Sequence, residues 1–143
     1  MRIFFAAAVA ALVASYFTWH YAEEMVGAVV LIEDFLSLRL HHNAGVAFGI
    51  RLPGGAQTLL IHLALVLVFI LAIRSDRDLL QDTGYGLILG GALANIIDRA
   101  PDGLVTDYFS VGAFPIFNVP DVCITIGVLF IVFTGLRKGG LKE

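Results

Sequence analysis

AQTLLIHLALVLVFILAI, residues 56–73, runs for eighteen residues without a formal charge. At 1.5 Å per helical residue it covers about 27 Å, close to the roughly 30 Å hydrocarbon core of a bilayer. In that medium a helix satisfies all of its own backbone polar groups, so the stretch reads as a transmembrane helix. Three more segments read the same way. They are about 3–22, about 83–97 (TGYGLILGGALANII, short and rich in Gly and Ala) and about 119–136 (VPDVCITIGVLFIVFTGL). Of 143 residues, 59% are hydrophobic and 15% charged, with mean hydropathy +0.89, far too little polar surface for a soluble domain of this size. The expectation is a mainly α membrane protein: one integral-membrane domain over residues 1–143 with four transmembrane helices. A net charge of −3, without a basic patch interleaved with aromatics, speaks against nucleic acid as a partner. The single cysteine, Cys123, excludes an internal disulfide and reads as a small residue of an apolar run.

Residues 3–22 follow Arg2 as the core of a cleavable signal peptide would. The apolar run is longer than the roughly 7–15 residues of such a core, so a retained helix is expected. Four spans put both ends on one side, with Arg2, Arg74, Arg77, Arg137, Lys138 and Lys142; Arg39, Arg51 and Arg99 fall on the other. The positive-inside rule then makes both termini cytoplasmic. Two extracytoplasmic regions remain, about 30–55 and about 100–118. In the first, FLSLRLH (35–41) alternates Leu36, Leu38 and Leu40 with Ser37, Arg39 and His41, the period of a strand with one buried face. Asn43, Gly45, Gly49 and Pro53-Gly54-Gly55 then mark turns. A small sheet resting on the outer membrane surface is expected.

Against this background two carboxylates stand out: Asp107 in LVTDYF and Asp121 in FNVPDV, each at the edge of an apolar segment. An ionised carboxylate at a membrane helix centre costs at least about 2.5–3.5 kcal/mol, so such residues are functional candidates. Asp121 follows Asn118, a good N-cap, and Pro120, which suits a helix's opening turn, and there the helix dipole favours a carboxylate. Two carboxyls brought close share one proton; one then serves as general base on a water while the other polarises a carbonyl, the chemistry of aspartic proteolysis. The competing reading is that each faces headgroups and caps an element.

Other polar residues carry similar pairs of readings. Asp98-Arg99 is an interfacial anchor, or a forked donor for a carbonyl-rich substrate beside a carboxylate that locks a loop. Asn43, Asn95 and Asn118 cap and turn the chain, or hydrogen-bond an extended peptide; Asn95, inside a span, needs a partner in either case. Gly90, Gly91, Ala92 and Ala94 leave one helix nearly bare, which suits tight packing and could equally leave a groove for a substrate helix, two compatible readings. The doublet His41-His42 lacks further ligands at metal-binding spacing, and neither a phosphate loop nor a nucleophile elbow is present.

Taken together, HHNAGVAFGI (41–50), GGALANIIDR (90–99), LVTDYF (104–109) and FPIFNVPDVCITIG (114–127) resemble, in order, the conserved blocks of the lipoprotein signal peptidase family, also called signal peptidase II. The resemblance implies a membrane aspartic endopeptidase that removes signal peptides from bacterial prolipoproteins, cutting just before a diacylglyceryl-modified cysteine. It implies Asp107 and Asp121 as the catalytic pair, and Asn43, Asn95, Asp98, Arg99 and Asn118 as the polar lining of the substrate and inhibitor site. It further implies an inner-membrane monomer with an extracytoplasmic β-cradle and a short periplasmic helix. Membrane lipids and peptide inhibitors such as globomycin are the further implied partners, and no metal or cofactor is called for. One departure is clear. The family's first helix usually carries Asp-Gln-x-Ser/Thr-Lys, where this chain has Ser15-Tyr16-Phe17-Thr18-Trp19 and keeps only Thr18. Pro120 and Val122 also flank Asp121 where Ala and Ser are usual, and Ala94 replaces a usual Gly before Asn95.

Two readings from other classes stay open at this point. One is a catalytically silent binder of lipoprotein signal peptides. The other is a proton-coupled carrier, against which the lack of an internal repeat argues.

Overall fold

The computed structural model describes residues 1–25, 27–45, 55–75 and 78–139. Seven elements follow in order: α1 (Arg2–Glu23), β1 (Val29–Ile32), β2 (Leu36–Asn43), α2 (Ala56–Arg74), α3 (Leu79–Arg99), β3 (Val105–Val111) and α4 (Val119–Gly139). The turns expected at Gly49 and Pro53-Gly54, and the charges of Arg51, Arg77 and Lys142, lie outside the described residues. Among the described residues these four are the helices, so the short additional helix implied by the family resemblance is not found on them.

Three helices, α1, α2 and α4, are long and apolar enough to cross a membrane. The exception, α3, packs against all three of them. It is longer than its apolar core 83–97 because Asp78 caps it, its Oδ1 accepting from the Leu80 and Gln81 amides at 3.0 and 3.2 Å. Its polar ends lower its hydropathy, and its central position lifts the demand for an apolar exterior. The outer helices show the reverse. On α2 only Ala72 is buried, while Leu59, Leu60, Leu63 and Leu67 stand exposed. Such a surface is tenable against lipid and not against water.

Glycines set the spacing of the bundle. A Cβ built on Gly86 would meet the Phe4 carbonyl oxygen, and one on Gly90 the Ala8 carbonyl oxygen, both on α1. On the other side, a Cβ on Gly84 would lie 2.8 Å from the Gly127 carbonyl oxygen, and one on Gly91 2.6 Å from that of Pro120, both on α4. The bare faces of α3 are thus filled by two neighbouring backbones. For Gly90 and Gly91 tight packing holds, and a substrate groove does not run along them.

β1, β2 and β3 form one antiparallel sheet in that order. β2 reaches to Asn43, two residues beyond the alternating stretch, and keeps the expected alternation in part. Leu38 and Leu40 are half-buried while Arg39 and His41 are exposed, but Ser37 is half-buried like the leucines and the pairing with β3 shifts between Leu38 and His41. β1 and β2 join through a turn in which Asp34 takes a left-handed φ of 56°. All four apolar side chains of edge strand β1 are exposed.

Gly90→Val forces two backbones apart and is expected to cost more than the about 1–3 kcal/mol of ordinary overpacking. At Gly135, where a Cβ meets nothing within 4 Å, alanine is expected to be neutral or to stabilise by about 0.5–1 kcal/mol. Thermal unfolding in detergent compares the two; equal melting temperatures would refute the spacing role of α3.

Candidate active site

α3 ends, β3 runs and α4 begins in one small volume, and their side chains close a hydrogen-bonded network there. Asn118, 1% exposed, is its hub. Its Oδ1 accepts from the Asp121 amide at 2.9 Å, and Asp121 Oδ2 accepts from the Asn118 amide at a longer 3.4 Å. This reciprocal pair is a capping box with aspartate in the acidic position, and it opens α4. Asn118 Nδ2 meanwhile donates to Asn95 Oδ1 at 3.0 Å and to the Thr106 carbonyl at 3.3 Å. One amide thereby joins α3, β3 and α4.

The second oxygen of Asp121, Oδ1, accepts from Asn95 Nδ2 at 3.0 Å. Asn95 therefore has the partner that a mid-helix amide requires. Asp107 lies on β3, 2% exposed, and its Oδ2 accepts from Asn43 Nδ2 at 3.0 Å. Asn43 is itself oriented by the Gly45 amide, which donates to its Oδ1 at 2.8 Å. The other oxygen of Asp107, Oδ1, is buried with no protein partner among the described residues. Burial pushes the Asp107 carboxyl up to about 6; the Asn43 hydrogen bond opposes this, the Asp121 and Asp98 charges add to it, and the Arg99 charge counters it.

Both carboxylates line one cavity of about 880 Å³ between α2 and α4. Asn43, Asn95 and Arg99 line its polar end with them, while Ile61, Leu65, Val68, Leu89 and Ile124 line the rest. Arg99 donates through Nη2 to the Gly45 carbonyl at 2.8 Å, and its Nε is buried with no partner among the described residues. Asp98 and Asn118 sit on the far side of this network, beside a smaller cavity of about 330 Å³. Asp98 accepts from the Thr106 amide at 2.6 Å and from the Thr106 hydroxyl at 3.2 Å, holding β3 against α3.

Several participants carry no sequence signal of their own. The Thr106 hydroxyl also reaches Glu23 Oε1 at 3.0 Å, and the Tyr108 hydroxyl donates to Thr18 Oγ1 at 2.7 Å. A β-branched or aromatic residue in a strand is ordinary, and only tertiary contact gives these a role. Their one legible hint is proximity to Asp107. Among the described residues no group of His, Cys, Asp and Glu is arranged to hold a metal ion.

An apolar bundle with a small sheet, and with a buried and a half-buried carboxylate at the end of a largely apolar cavity, defines a class: a membrane protein with a polar site set against its apolar helices. The family model described as signal peptidase (SPase) II matches residues 3–137, and the chain belongs to that family. It is 39% identical over 127 residues to a lipoprotein signal peptidase of Chlorobaculum tepidum, covering 79% of this chain and 78% of that protein. To one of Actinobacillus succinogenes it is 36% identical over 129 residues, covering 83% of this chain and 78% of that protein. Among solved structures it is similar to a bacterial membrane enzyme at 2.3 Å resolution, with TM-score 0.88 and 27% identity over 100% of this chain and 93% of the other. A second bacterial membrane enzyme, at 1.9 Å, gives TM-score 0.83 and 28% identity over 96% and 94% of the two chains.

A carboxyl raised to about 6 in the folded protein favours folding fully below its ordinary pKa of about 3.9, and that contribution is lost as pH rises through about 6. Asp107 is thus a destabilising anion at pH 8. Asp107→Asn keeps an acceptor for Asn43 and removes the charge, so its melting temperature at pH 8 should exceed that of the wild type, with the gap narrowing below pH 6. A variant no more stable than wild type at pH 8, or a gap independent of pH, would contradict this.

Proposed function

We propose that this chain is an aspartic endopeptidase that removes signal peptides from diacylglyceryl-modified prolipoproteins, cutting just before the lipidated cysteine. The observation that carries the reading is that Asp107 and Asp121, from different elements, line the polar end of one cavity whose other walls are mostly apolar. An apolar signal segment fits between α2 and α4, and the polar end then meets the peptide bond beside the lipid anchor. Anchoring of this kind makes the encounter nearly intramolecular, which can remove much of a reaction's barrier.

In this reading Asp107 holds the shared proton and Asp121, with donors on both oxygens, is the ionised partner. Asp121 takes a proton from a water whose oxygen attacks the scissile carbonyl carbon, while the carbonyl oxygen receives the proton of Asp107. Collapse of the tetrahedral intermediate breaks the C–N bond, returns a proton to Asp107 and passes that of Asp121 to the leaving amine. One water is consumed, and a carboxylic acid and an amine are formed. Asn43 and Asn95 fix the carboxylates, and the Arg99 cation tempers their mutual repulsion.

The same reading takes residues 1–143 as a single unit of four spans in the bacterial inner membrane, acting as a monomer. The termini are then cytoplasmic and the sheet extracytoplasmic. The exposed apolar β1 and the enclosed position of α3 support this placement. Peptide inhibitors such as globomycin would occupy the same cavity.

Asp107→Asn and Asp121→Asn should each lower cleavage of a lipidated precursor by at least about a thousandfold, the scale for groups that act as a unit. A gel-shift assay reads this directly, and retained cleavage by both variants would defeat the assignment. Wild-type protein that binds the precursor without cutting it would instead identify a silent binder. The alkaline limb of kcat/KM should lie near or above pH 6, where Asp107 loses its proton; a limb near the ordinary carboxylate range would contradict the assigned proton.

A further inference from the structure

Tyr108 follows Asp107 on β3, and both its backbone and its hydroxyl reach the chain that leads into α4. Its amide donates to the Phe117 carbonyl at 3.0 Å, while the Val119 amide donates to its hydroxyl oxygen at 3.1 Å. One residue thus grips the chain on either side of Asn118, the cap on which Asp121 depends. The hydroxyl has a third contact, donating to Thr18 Oγ1 on α1 at 2.7 Å. Thr18 accepts this bond and spends its own proton on the Ala14 carbonyl at 2.8 Å.

The proton count closes without a charged group. Tyr108 donates one bond and accepts one, as a neutral phenol can, and Thr18 does the same. Tyr108 is 3% exposed, and burial raises its pKa from an already alkaline value, so the hydroxyl keeps its proton at working pH. Val119 is the first residue of α4, and its amide has no acceptor within the helix. The Tyr108 hydroxyl supplies that acceptor, two residues before Asp121.

We propose that the Tyr108 hydroxyl, clamped by Thr18, is a positioning group that sets the first turn of α4 and with it the placement of Asp121 relative to Asp107. This deepens the proteolytic reading and rests on it. It also gives the first helix a part in the site. Of the stretch Ser15-Tyr16-Phe17-Thr18-Trp19, the residue shared with the usual family pattern is the one that bears on β3 and α4. Ser15, where an acid is usual, is turned inward to its own helix and donates to the Ala11 carbonyl at 2.7 Å. A neutral hydroxyl pair couples α1 to the site.

The test compares wild type with Tyr108→Phe, Thr18→Val, Thr18→Ser and the Tyr108→Phe/Thr18→Val double variant. Phenylalanine keeps the ring packing and deletes the clamp. It should lower kcat roughly tenfold to a hundredfold, the scale of a small misplacement of reacting groups, with KM changed less than about twofold. Thr18→Val should give a smaller loss in kcat that Thr18→Ser largely recovers, and the double variant should be no worse than Tyr108→Phe, since both break one chain of contacts. Amide exchange at Val119 should speed up in Tyr108→Phe, whatever the substrate. An unchanged kcat, a loss carried wholly in KM, multiplicative effects in the double variant or undisturbed Val119 exchange would each overturn the clamp. If wild-type protein does not cleave the precursor, the proteolytic reading fails by itself, and the exchange measurement still decides whether Tyr108 orders this turn.

Discussion

The structure depends on how closely α3 is approached by its neighbours. Gly86 and Gly90 admit the backbone of α1, and Gly84 and Gly91 admit that of α4, so the central helix is gripped on two faces with no flexible side chain between. Lipid offers little hydrophobic drive for helices to associate, and close backbone packing is one of the forces left. A helix held in this way presents a fixed end. Asn95, Asp98 and Arg99 all project from that end, and each sets a different part of the site: Asn95 the start of α4, Asp98 the strand β3, Arg99 the chain after β2.

Withdrawing two carboxylates from water within electrostatic reach of one another opposes folding, and the protein offsets it with amide donors and one cation. Asn43 and Asn95 each give one bond to a carboxylate, and each is oriented by a second contact: Asn43 by the Gly45 amide, Asn95 by Asn118. Amides suit this role because they donate without adding charge, and the Asn43 bond draws the Asp107 carboxyl part of the way back toward its ordinary range. The capping reading of Asp121 and the catalytic one turn out to be compatible. Oδ2 closes the capping box while Oδ1 accepts from Asn95, and the residue lines the cavity.

The apolar wall of the large cavity belongs to the same design. In the proposed reading, a peptide segment leaving the bilayer would lie along Ile61, Leu65 and Val68 of α2 and meet the polar end of the cavity at Asn43, Asn95 and Arg99.

Much of this was legible in the chain itself. The charge-free run at 56–73, the Gly-rich helix, the alternation of Leu36, Leu38 and Leu40 and the two acids at apolar boundaries are local patterns, and local patterns set helix, strand and burial. Asn118 as the cap of α4 could be read for the same reason. Other features could not. α3 falls short of a span by hydropathy, and only its enclosure by the other helices explains why its polar ends are tolerated. Thr106, Tyr108 and Glu23 have ordinary residue types for their elements, and Thr18 was legible only as a match to the family pattern; their roles arise because the fold brings positions more than eighty residues apart within hydrogen-bond distance. Sequence by itself determined which segments avoid water and which charges such segments must accommodate, since both follow from transfer free energies of neighbouring residues. Tertiary structure alone decided which polar atoms meet, because a hydrogen bond depends on distances of a few tenths of an ångström that no local pattern specifies.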